Sequence, residues 1–160
     1  MKKFNLLFLT LFQIGKIKYA PGSFASLATC VVFLFLANYF SVIFLFVLLL
    51  LIFGYSIIAI NNFYNTFDSK DPQEIVIDEF VGQMLPLLAI PIYETLYPLP
   101  TIYYCAAAFL LFRLFDIWKP YPISYVDDNI KGPLGIMLDD ILASVYSIIT
   151  LSIIFFFLGG

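Results

Sequence analysis

The chain has 160 residues, of which 62 % are apolar and only 12 % are charged, and its net charge at pH 7 is −3. A soluble domain carries about a quarter charged residues, so this composition excludes an ordinary soluble protein and indicates an integral membrane protein with a single domain, 1–160. The chain has no histidine, which excludes phosphohistidine chemistry, Ser-His-Asp triads and imidazole metal ligands. It also has no basic stripe, so nucleic acid is not expected as a partner.

The N-terminal segment is predicted to be a short helix at the membrane surface. Lys2 and Lys3 precede an apolar run that ends near Leu9, which imitates a signal peptide. The run is short, however, no small-x-small cleavage site follows it, and Lys16 and Lys18 come next. These features favour an interfacial helix over a cleaved signal.

Five apolar segments follow, and they predict an all-α fold, a membrane helical bundle of about four to five apolar helices. The segments cover residues 24–39, 41–60, 79–93, 98–115 and 138–158. A straight span needs about 20 residues at about 1.5 Å each. The second, fourth and fifth segments meet or approach this length, whereas the first and third are short enough to insert only partly. Pro86 and Pro91 predict a kink in the third segment.

The positions of lysine and arginine indicate how the chain crosses the membrane. If the amino terminus is cytoplasmic and each segment crosses, all the basic residues fall on the cytoplasmic side, as the positive-inside rule expects: 2, 3, 16, 18, 70, 113, 119 and 131. Glu94 is then the only charged residue on the far side. The same path brings the acidic ends of three segments to one border of the membrane.

Carboxylate pairs begin two of the apolar segments, and a further carboxylate ends another. Asp78-Glu79 and Asp139-Asp140 open their segments, where acids complement a helix macrodipole or, alternatively, act as hard oxygen ligands for Mg²⁺. Asp116 lies instead at a carboxyl end, where the dipole disfavours an acid. We therefore expect Asp116 to need a partner cation or a metal.

Two cations flank Asp116, since Arg113 and Lys119 are each three residues away on one helix face. This arrangement predicts either an ordinary ion pair or a phosphate-binding cation beside a metal-binding acid, because arginine can bind phosphate through two hydrogen bonds. The loop at Gly22-Ser23 also permits two interpretations. Ser23 can cap the following helix, or the loop can form an anion site at the helix N-terminus.

The remaining notable residues have simpler interpretations. Asp127 and Asp128 lie in the polar connection 116–137 and are interpreted as solvated loop charges. Cys30 and Cys105 lie inside apolar runs, which is typical of unreactive buried thiols.

Four motifs carry a resemblance to a known family. They are Pro21-Gly22-Ser23-Phe24-Ala25-Ser26, Asp78-Glu79-Phe80-Val81-Gly82, Phe112-Arg113-Leu114-Phe115-Asp116-Ile117-Trp118-Lys119-Pro120-Tyr121-Pro122-Ile123 and Gly135-Ile136-Met137-Leu138-Asp139-Asp140. With these motifs in this order, the chain resembles the phosphatidylglycerophosphatase A family over almost its whole length. The resemblance implies Mg²⁺-dependent removal of the terminal phosphate of phosphatidylglycerophosphate, which yields phosphatidylglycerol, at the bacterial inner membrane. Soluble relatives in this family form all-α bundles.

The residues and the resemblance together predict a metal-assisted phosphatase site on the cytoplasmic face, acting on a membrane phospholipid. The expected catalytic and metal-binding residues are the carboxylates that would hold one or two Mg²⁺ ions: Asp78, Glu79, Asp116, Asp139 and Asp140. The expected phosphate-binding residues are Arg113, Lys119, Gly22 and Ser23. Water and an aspartate both stay open as the nucleophile, and the oligomeric state is left open.

Two other functions stand as alternatives. A CDP-alcohol phosphotransferase is also a membrane enzyme that uses carboxylates and Mg²⁺, but its signature, an Asp-Gly pair followed by Ala-Arg and two later spaced Asp residues, is absent. A small cation transporter or channel would place carboxylates at mid-span. The predicted path places them at the membrane border instead.

Overall fold

The computed structural model describes residues 2–63 and 74–158, and this part of the chain forms helices and no strand. Its α-helices run in the order α1 (Lys2–Leu9), α2 (Pro21–Leu36), α3 (Val42–Phe63), α4 (Ile77–Leu88), α5 (Ile90–Leu96), α6 (Thr101–Trp118), α7 (Ile123–Asn129) and α8 (Pro133–Leu158), with a 3₁₀ turn at Ile14–Lys16. The predicted all-α fold is therefore confirmed. Lys70, which the sequence assigned to the cytoplasmic side, lies outside the described residues.

Among the described helices, α3, α6 and α8 are long and apolar enough to cross a membrane. The 16 residues of α2 and the 12 of α4 are fewer, as the sequence predicted for the first and third apolar segments. Large apolar side chains cover the outside of the long helices, since Ile43 and Phe157 are each 77 % exposed and Leu110 is 65 % exposed. A surface of this kind is unsuited to water and suits lipid, so the chain is a membrane protein.

The central helix of the bundle is α4, which packs against α2, α3, α6 and α8. Its side chains are buried around most of its circumference, including Val81, Met84 and Leu87. Pro86 lies in its last turn and Pro91 in the first turn of α5, so the helix is interrupted at Ala89. Proline cannot donate the backbone hydrogen bond of a continuous helix, and the predicted kink in this segment is confirmed.

A glycine allows α4 to lie very close to α6 and α8. A Cβ atom on Gly82 would lie 2.7 Å from the Phe112 ring and 3.0 Å from Cβ of Asp140. The hydroxyl of Ser144 lies 2.6 Å from the carbonyl oxygen of Gly82 and can donate a hydrogen bond to it across the same contact. This close packing brings the acid-bearing first turn of α4 next to the acids of α8.

At one end of the bundle, called here the charged end, the N-termini of α2, α4 and α8 meet the C-terminus of α6. The N-terminal segment is attached to the bundle, because the backbone N–H of Val76 donates to the carbonyl of Leu9 at 3.0 Å. The hydroxyl of Tyr55 likewise donates to Asn5 Oδ1 at 2.8 Å. In α1, Phe4 is exposed and Leu9 is buried, which is the amphipathic pattern expected of an interfacial helix.

The opposite end, called here the aromatic end, is built from α5, the start of α6 and the end of α8. The ring of Phe155 lies 4.7 Å from that of Tyr104 and 5.5 Å from that of Tyr93, centroid to centroid. The Tyr93 hydroxyl lies 2.9 Å from Ser152 Oγ and 3.2 Å from the carbonyl of Ile148. Buried tyrosines usually find such hydrogen-bond partners, so this end is a packed and hydrogen-bonded cluster.

One helix boundary differs from the sequence prediction in a way that changes an interpretation. α8 begins at Pro133, so Asp139 and Asp140 lie in its second turn and its first turn contains no acid. The macrodipole interpretation of this pair is therefore wrong. Proline is favoured at a helix start, and Gly132, with a φ of 87°, lets the chain turn into the helix.

Candidate active site

A cavity of about 600 Å³ opens at the charged end, within the range of about 300–1,000 Å³ that is usual for small-molecule sites. Its walls come from the first turns of α2 and α4, the first two turns of α8, the C-terminal parts of α6 and α7, and the segments before α2, α4 and α8. Charged side chains dominate the lining: Lys18, Asp78, Glu79, Arg113, Asp116, Lys119, Asp127, Asp128, Lys131, Asp139 and Asp140. The acidic ends of the three predicted segments thus meet at one cavity.

Carboxylate oxygens from three helices approach one another in two overlapping groups. Asp78, Glu79 and Asp140 form one group, and Asp116, Asp139 and Asp140 form the other. Within each group, one carboxylate oxygen from each side chain lies within 4.8 Å of the others. Asp140 belongs to both, so a single side chain of α8 connects the acids of α4 with the acid of α6.

Several of these oxygens are buried and have no hydrogen-bond partner among the described residues, namely Glu79 Oε2, Asp139 Oδ1 and Asp140 Oδ2. Asp140 is only 3 % exposed. Burial of ionised carboxylates this close together costs several kcal/mol each unless positive charge compensates it. A hard divalent cation with oxygen ligands would supply that charge. The donor set therefore fits a metal ion.

Arg113 lies one turn before Asp116 on α6 and forms an ion pair with it. The distance from Arg113 Nη1 to Asp116 Oδ2 is 2.6 Å, and the two side chains are 15 % and 14 % exposed. The ordinary ion pair that the sequence allowed is thus present. Both side chains also line the cavity, so the guanidinium lies where it can contact a bound anion.

Lys119 directly follows α6 in a left-handed conformation, with φ of 46° and ψ of 58°. Its Nζ lies 2.7 Å from Asp139 Oδ2 and 2.9 Å from Asp127 Oδ1. Burial alone would lower the pKa of Lys119, but hydrogen bonds and charges from Asp139 and Asp127 outweigh this and raise its pKa above the ordinary value. Lys119 is therefore a fixed positive charge that connects α6, α7 and α8.

Gly22 and Ser23, the two residues predicted in the first motif, have different positions. Gly22 lines the cavity, and a Cβ atom there would lie 2.1 Å from Glu79 Oε1 and 3.2 Å from Arg113 Nη1. Ser23 is not among the lining residues. The capping interpretation of Ser23 is wrong, because α2 begins at Pro21 and its N-cap residue is Ala20, which makes no side-chain cap. Proline at the helix start moves the cap ahead of the serine.

Some residues of the cavity were not predicted from the sequence. Asp127 is not simply a solvated loop charge, because it lies in α7 and pairs with Lys119. Asp128, Lys18 and Lys131 also line the cavity. The available signal was Pro120 and Pro122, which lie in the turn between α6 and α7.

A family model and two relatives of this chain carry the name of one family. A family model described as PgpA, Phosphatidylglycerophosphatase A, matches residues 7–155. A Haemophilus influenzae protein named Phosphatidylglycerophosphatase A is 36 % identical over 138 residues, 86 % of this chain and 80 % of its own length. An Escherichia coli protein of the same name is 43 % identical over 77 residues, 48 % of this chain and 41 % of its own length.

A Bacteroides thetaiotaomicron relative carries a different name. It is 34 % identical over 145 residues, 89 % of this chain and 87 % of its own length, and is provisionally named a phosphatidylinositol-3-phosphatase. No solved structure matches the chain.

Proposed function

The chain belongs to the phosphatidylglycerophosphatase A family, and we propose that it hydrolyses the terminal phosphomonoester of phosphatidylglycerophosphate, releasing phosphatidylglycerol and phosphate. The observation that carries this proposal is the cavity at the charged end, where carboxylates with unpaired buried oxygens lie beside Arg113 and Lys119. Such a site has the ligands for a metal and the cations for a phosphate.

The metal in this proposal is Mg²⁺, bound by Asp78, Glu79, Asp116, Asp139 and Asp140. Mg²⁺ favours carboxylate ligands and is usually held together with substrate phosphate. When bound, it supplies Lewis-acid polarisation of the phosphoryl group and activation of water. Lys119 supports this ligand set by holding Asp139 Oδ2 at 2.7 Å. The other oxygen, Asp139 Oδ1, is buried and has no hydrogen-bond partner among the described residues.

The phosphate in this proposal is bound by Arg113, Lys119 and the first turn of α2. Arg113 is already paired with Asp116, so its position is fixed before a substrate arrives, which reduces the reorganisation needed to stabilise charge on the phosphoryl oxygens. Gly22 exposes the N-terminus of α2 to the cavity without a side chain. Free N–H groups at a helix N-terminus favour an anion.

The lipid substrate is supported by the position of the cavity at one end of a bundle with lipid-facing helices. A headgroup phosphate can enter the cavity while acyl chains stay in the bilayer. The distribution of basic residues favours the cytoplasmic face of the bacterial inner membrane. The carboxylates lie at the end of the bundle, which argues against a transporter with mid-span acids.

The name of the Bacteroides relative favours a second substrate for the same site, phosphatidylinositol 3-phosphate. Both lipids carry a phosphomonoester and a phosphodiester, so the same metal ligands and cations would serve either. The two substrates differ in the size of the group between the phosphates, and direct comparison of turnover decides between them.

The test measures phosphate release by the full chain in neutral detergent from each of the two lipids. We expect turnover of phosphatidylglycerophosphate to require Mg²⁺, to be lost with EDTA and restored by added Mg²⁺. Asp139→Asn and Asp78→Asn should each reduce turnover by about 10²–10³-fold, as when a group that stabilises developing charge is removed. The control is Glu94→Gln, at the aromatic end, which should keep the wild-type rate.

Three outcomes would contradict the proposal. Turnover that persists in EDTA would exclude the metal, and full activity in both aspartate variants would exclude the carboxylate site. Faster turnover of phosphatidylinositol 3-phosphate than of phosphatidylglycerophosphate would reassign the substrate.

A further inference from the structure

Two lysines of the cavity have no part in the proposed phosphoryl chemistry. Lys18 precedes α2 and Lys131 precedes α8, and both side chains are exposed and line the cavity. Among the described residues, neither belongs to an ion pair with a carboxylate, whereas Arg113 and Lys119 both do. Their charges are therefore available to a ligand.

Local contacts position both lysines at the cavity. Lys131 Nζ donates a hydrogen bond to the carbonyl of Asp127 at 3.0 Å, which attaches it to α7. Lys18 Nζ lies 5.6 Å from the centroid of the Tyr19 ring, within reach of a cation–π interaction. Each lysine also lies just before a helix whose N-terminus adds positive potential to the same place.

The buried acids Asp139 and Asp140 and the exposed lysines lie at different depths of the cavity, and Asp128, which also lines it, is exposed as the lysines are. Asp139 and Asp140 are 7 % and 3 % exposed, so these two acids lie in the interior of the cavity. The lysines are on exposed segments and form part of its mouth. A ligand that fills the cavity would therefore meet the metal-binding acids with its inner part and the lysines with its outer part.

We propose that Lys18 and Lys131 form a second anion subsite, which binds the phosphodiester of a glycerophospholipid while its phosphomonoester lies among the carboxylates. This inference rests on the proposed function. The substrate class carries these two anions, one terminal and one next to the glycerol of the lipid. The cavity offers half-buried cations that are paired with acids, Arg113 and Lys119, and the exposed lysines, which are in no ion pair among the described residues. Binding at two points would hold the phosphomonoester in position beside Arg113 and the acids.

The test compares phosphate release from three substrates in neutral detergent that contains no other anionic lipid. Phosphatidylglycerophosphate has both phosphates and acyl chains, its deacylated form has both phosphates without acyl chains, and glycerol 3-phosphate has only the phosphomonoester. The variants are Lys18→Gln, Lys131→Gln and the double variant. Lys16→Gln is the matched control, because Lys16 is exposed nearby but does not line the cavity.

We expect each lysine variant to raise KM for both phosphodiester-containing substrates by about two- to fivefold, the range of an exposed charge contact. In the double variant, the ratio of kcat/KM for the deacylated lipid to that for glycerol 3-phosphate should fall about tenfold. The difference from wild type should shrink as salt rises, since exposed charges are screened. Lys16→Gln should keep the wild-type ratio.

The outcomes that overturn the inference differ from those that overturn the proposed function. If the wild type releases phosphate from the lipid but the double variant keeps the wild-type ratio, the second subsite is wrong and the proposed function stands. An effect that occurs with the acylated lipid and not with its deacylated form would assign the lysines to the lipid surface and also exclude the subsite. If the wild type hydrolyses none of the three substrates, the proposed function itself fails.

Discussion

The charged end and the aromatic end of the bundle differ in whether their buried polar groups have hydrogen-bond partners. At the aromatic end, the hydroxyl of Tyr93 contacts Ser152 and the carbonyl of Ile148, and the hydroxyl of Tyr104 donates to the carbonyl of Tyr97. At the charged end, buried oxygens of Glu79, Asp139 and Asp140 have no hydrogen-bond partner among the described residues. Both ends include parts of α6 and α8, so helix formation does not explain the difference.

This difference indicates which residues contribute to stability and which contribute to function. A satisfied polar group in an apolar bundle stabilises the fold, whereas an unsatisfied buried carboxylate destabilises it until a ligand supplies charge. Gln83, one turn along α4 from Glu79, is also fully buried, and its side-chain amide has no partner among the described residues. Residues at the charged end should therefore control activity more than stability, and residues at the aromatic end the reverse.

The largest expected effect is at Asp140, the carboxylate shared by both acidic groups. Asp140→Asn should reduce phosphate release by about 10²–10³-fold, because an amide cannot supply the charge that both groups need. The unfolding temperature of the metal-free protein in detergent should not fall, since the change removes a buried unpaired charge. A variant that keeps its activity, or that unfolds without Mg²⁺ while the wild type stays folded, would contradict the claim that the charged end controls activity more than stability.

A smaller effect is expected at Gly22, where no charge is removed. In Gly22→Ala, the new methyl group would lie 2.1 Å from Glu79 Oε1, so Glu79 must move. Displacement of a site residue by about 1 Å can cost up to about 10²-fold in rate, and we expect a loss of about 10- to 100-fold in kcat with the fold intact.

Gly54 on α3 provides the matched control for Gly22. A Cβ atom at Gly54 would meet no atom within 4 Å, so Gly54→Ala should keep the wild-type kcat and stabilise its helix by up to about 1 kcal/mol. Equal rates for the two alanine variants would show that the close contact between Gly22 and Glu79 does not matter for activity.

The smallest expected effect is at the aromatic end. Tyr93→Phe removes the hydroxyl that contacts Ser152 at 2.9 Å and keeps the ring against Phe155. The free energy of unfolding should fall by about 0.5–1 kcal/mol, while kcat and KM for the lipid stay as in the wild type. Thermal unfolding in detergent and initial rates measure the two effects separately, and a loss of activity without a loss of stability would contradict this assignment.

Much of the fold was predictable from sequence, because helix length and apolar composition are local properties. The segments that became α3, α6 and α8 were identified as long enough to cross, and the break near Pro86 and Pro91 was expected from proline chemistry. Boundaries near the site were less predictable. Pro21 and Pro133 start their helices earlier than the apolar pattern suggested, since apolar periodicity does not mark a first turn that faces a polar cavity.

The residues of the candidate site were likewise only partly predictable from the sequence. The expected carboxylates, together with Arg113, Lys119 and Gly22, all line one cavity, whereas Ser23 does not. Asp127 and the two mouth lysines, Lys18 and Lys131, were not assigned to the cavity from the sequence. Their positions depend on how α7 and the segments before α2 and α8 fold back over the bundle, which no local pattern specifies.

The class of the protein, an all-α membrane protein with acids at its segment ends, follows from the amino-acid sequence alone, because the cost of exposing polar groups to lipid constrains composition and segment length. Which buried oxygens lack a partner and which cations are already in ion pairs follows instead from the folded structure. This pairing of polar groups depends on contacts between helices. Examples are the approach of α4 to α8 at Gly82 and the ion pairs of Lys119 with Asp139 and Asp127. These contacts join residues far apart in the chain, and their geometry follows from packing.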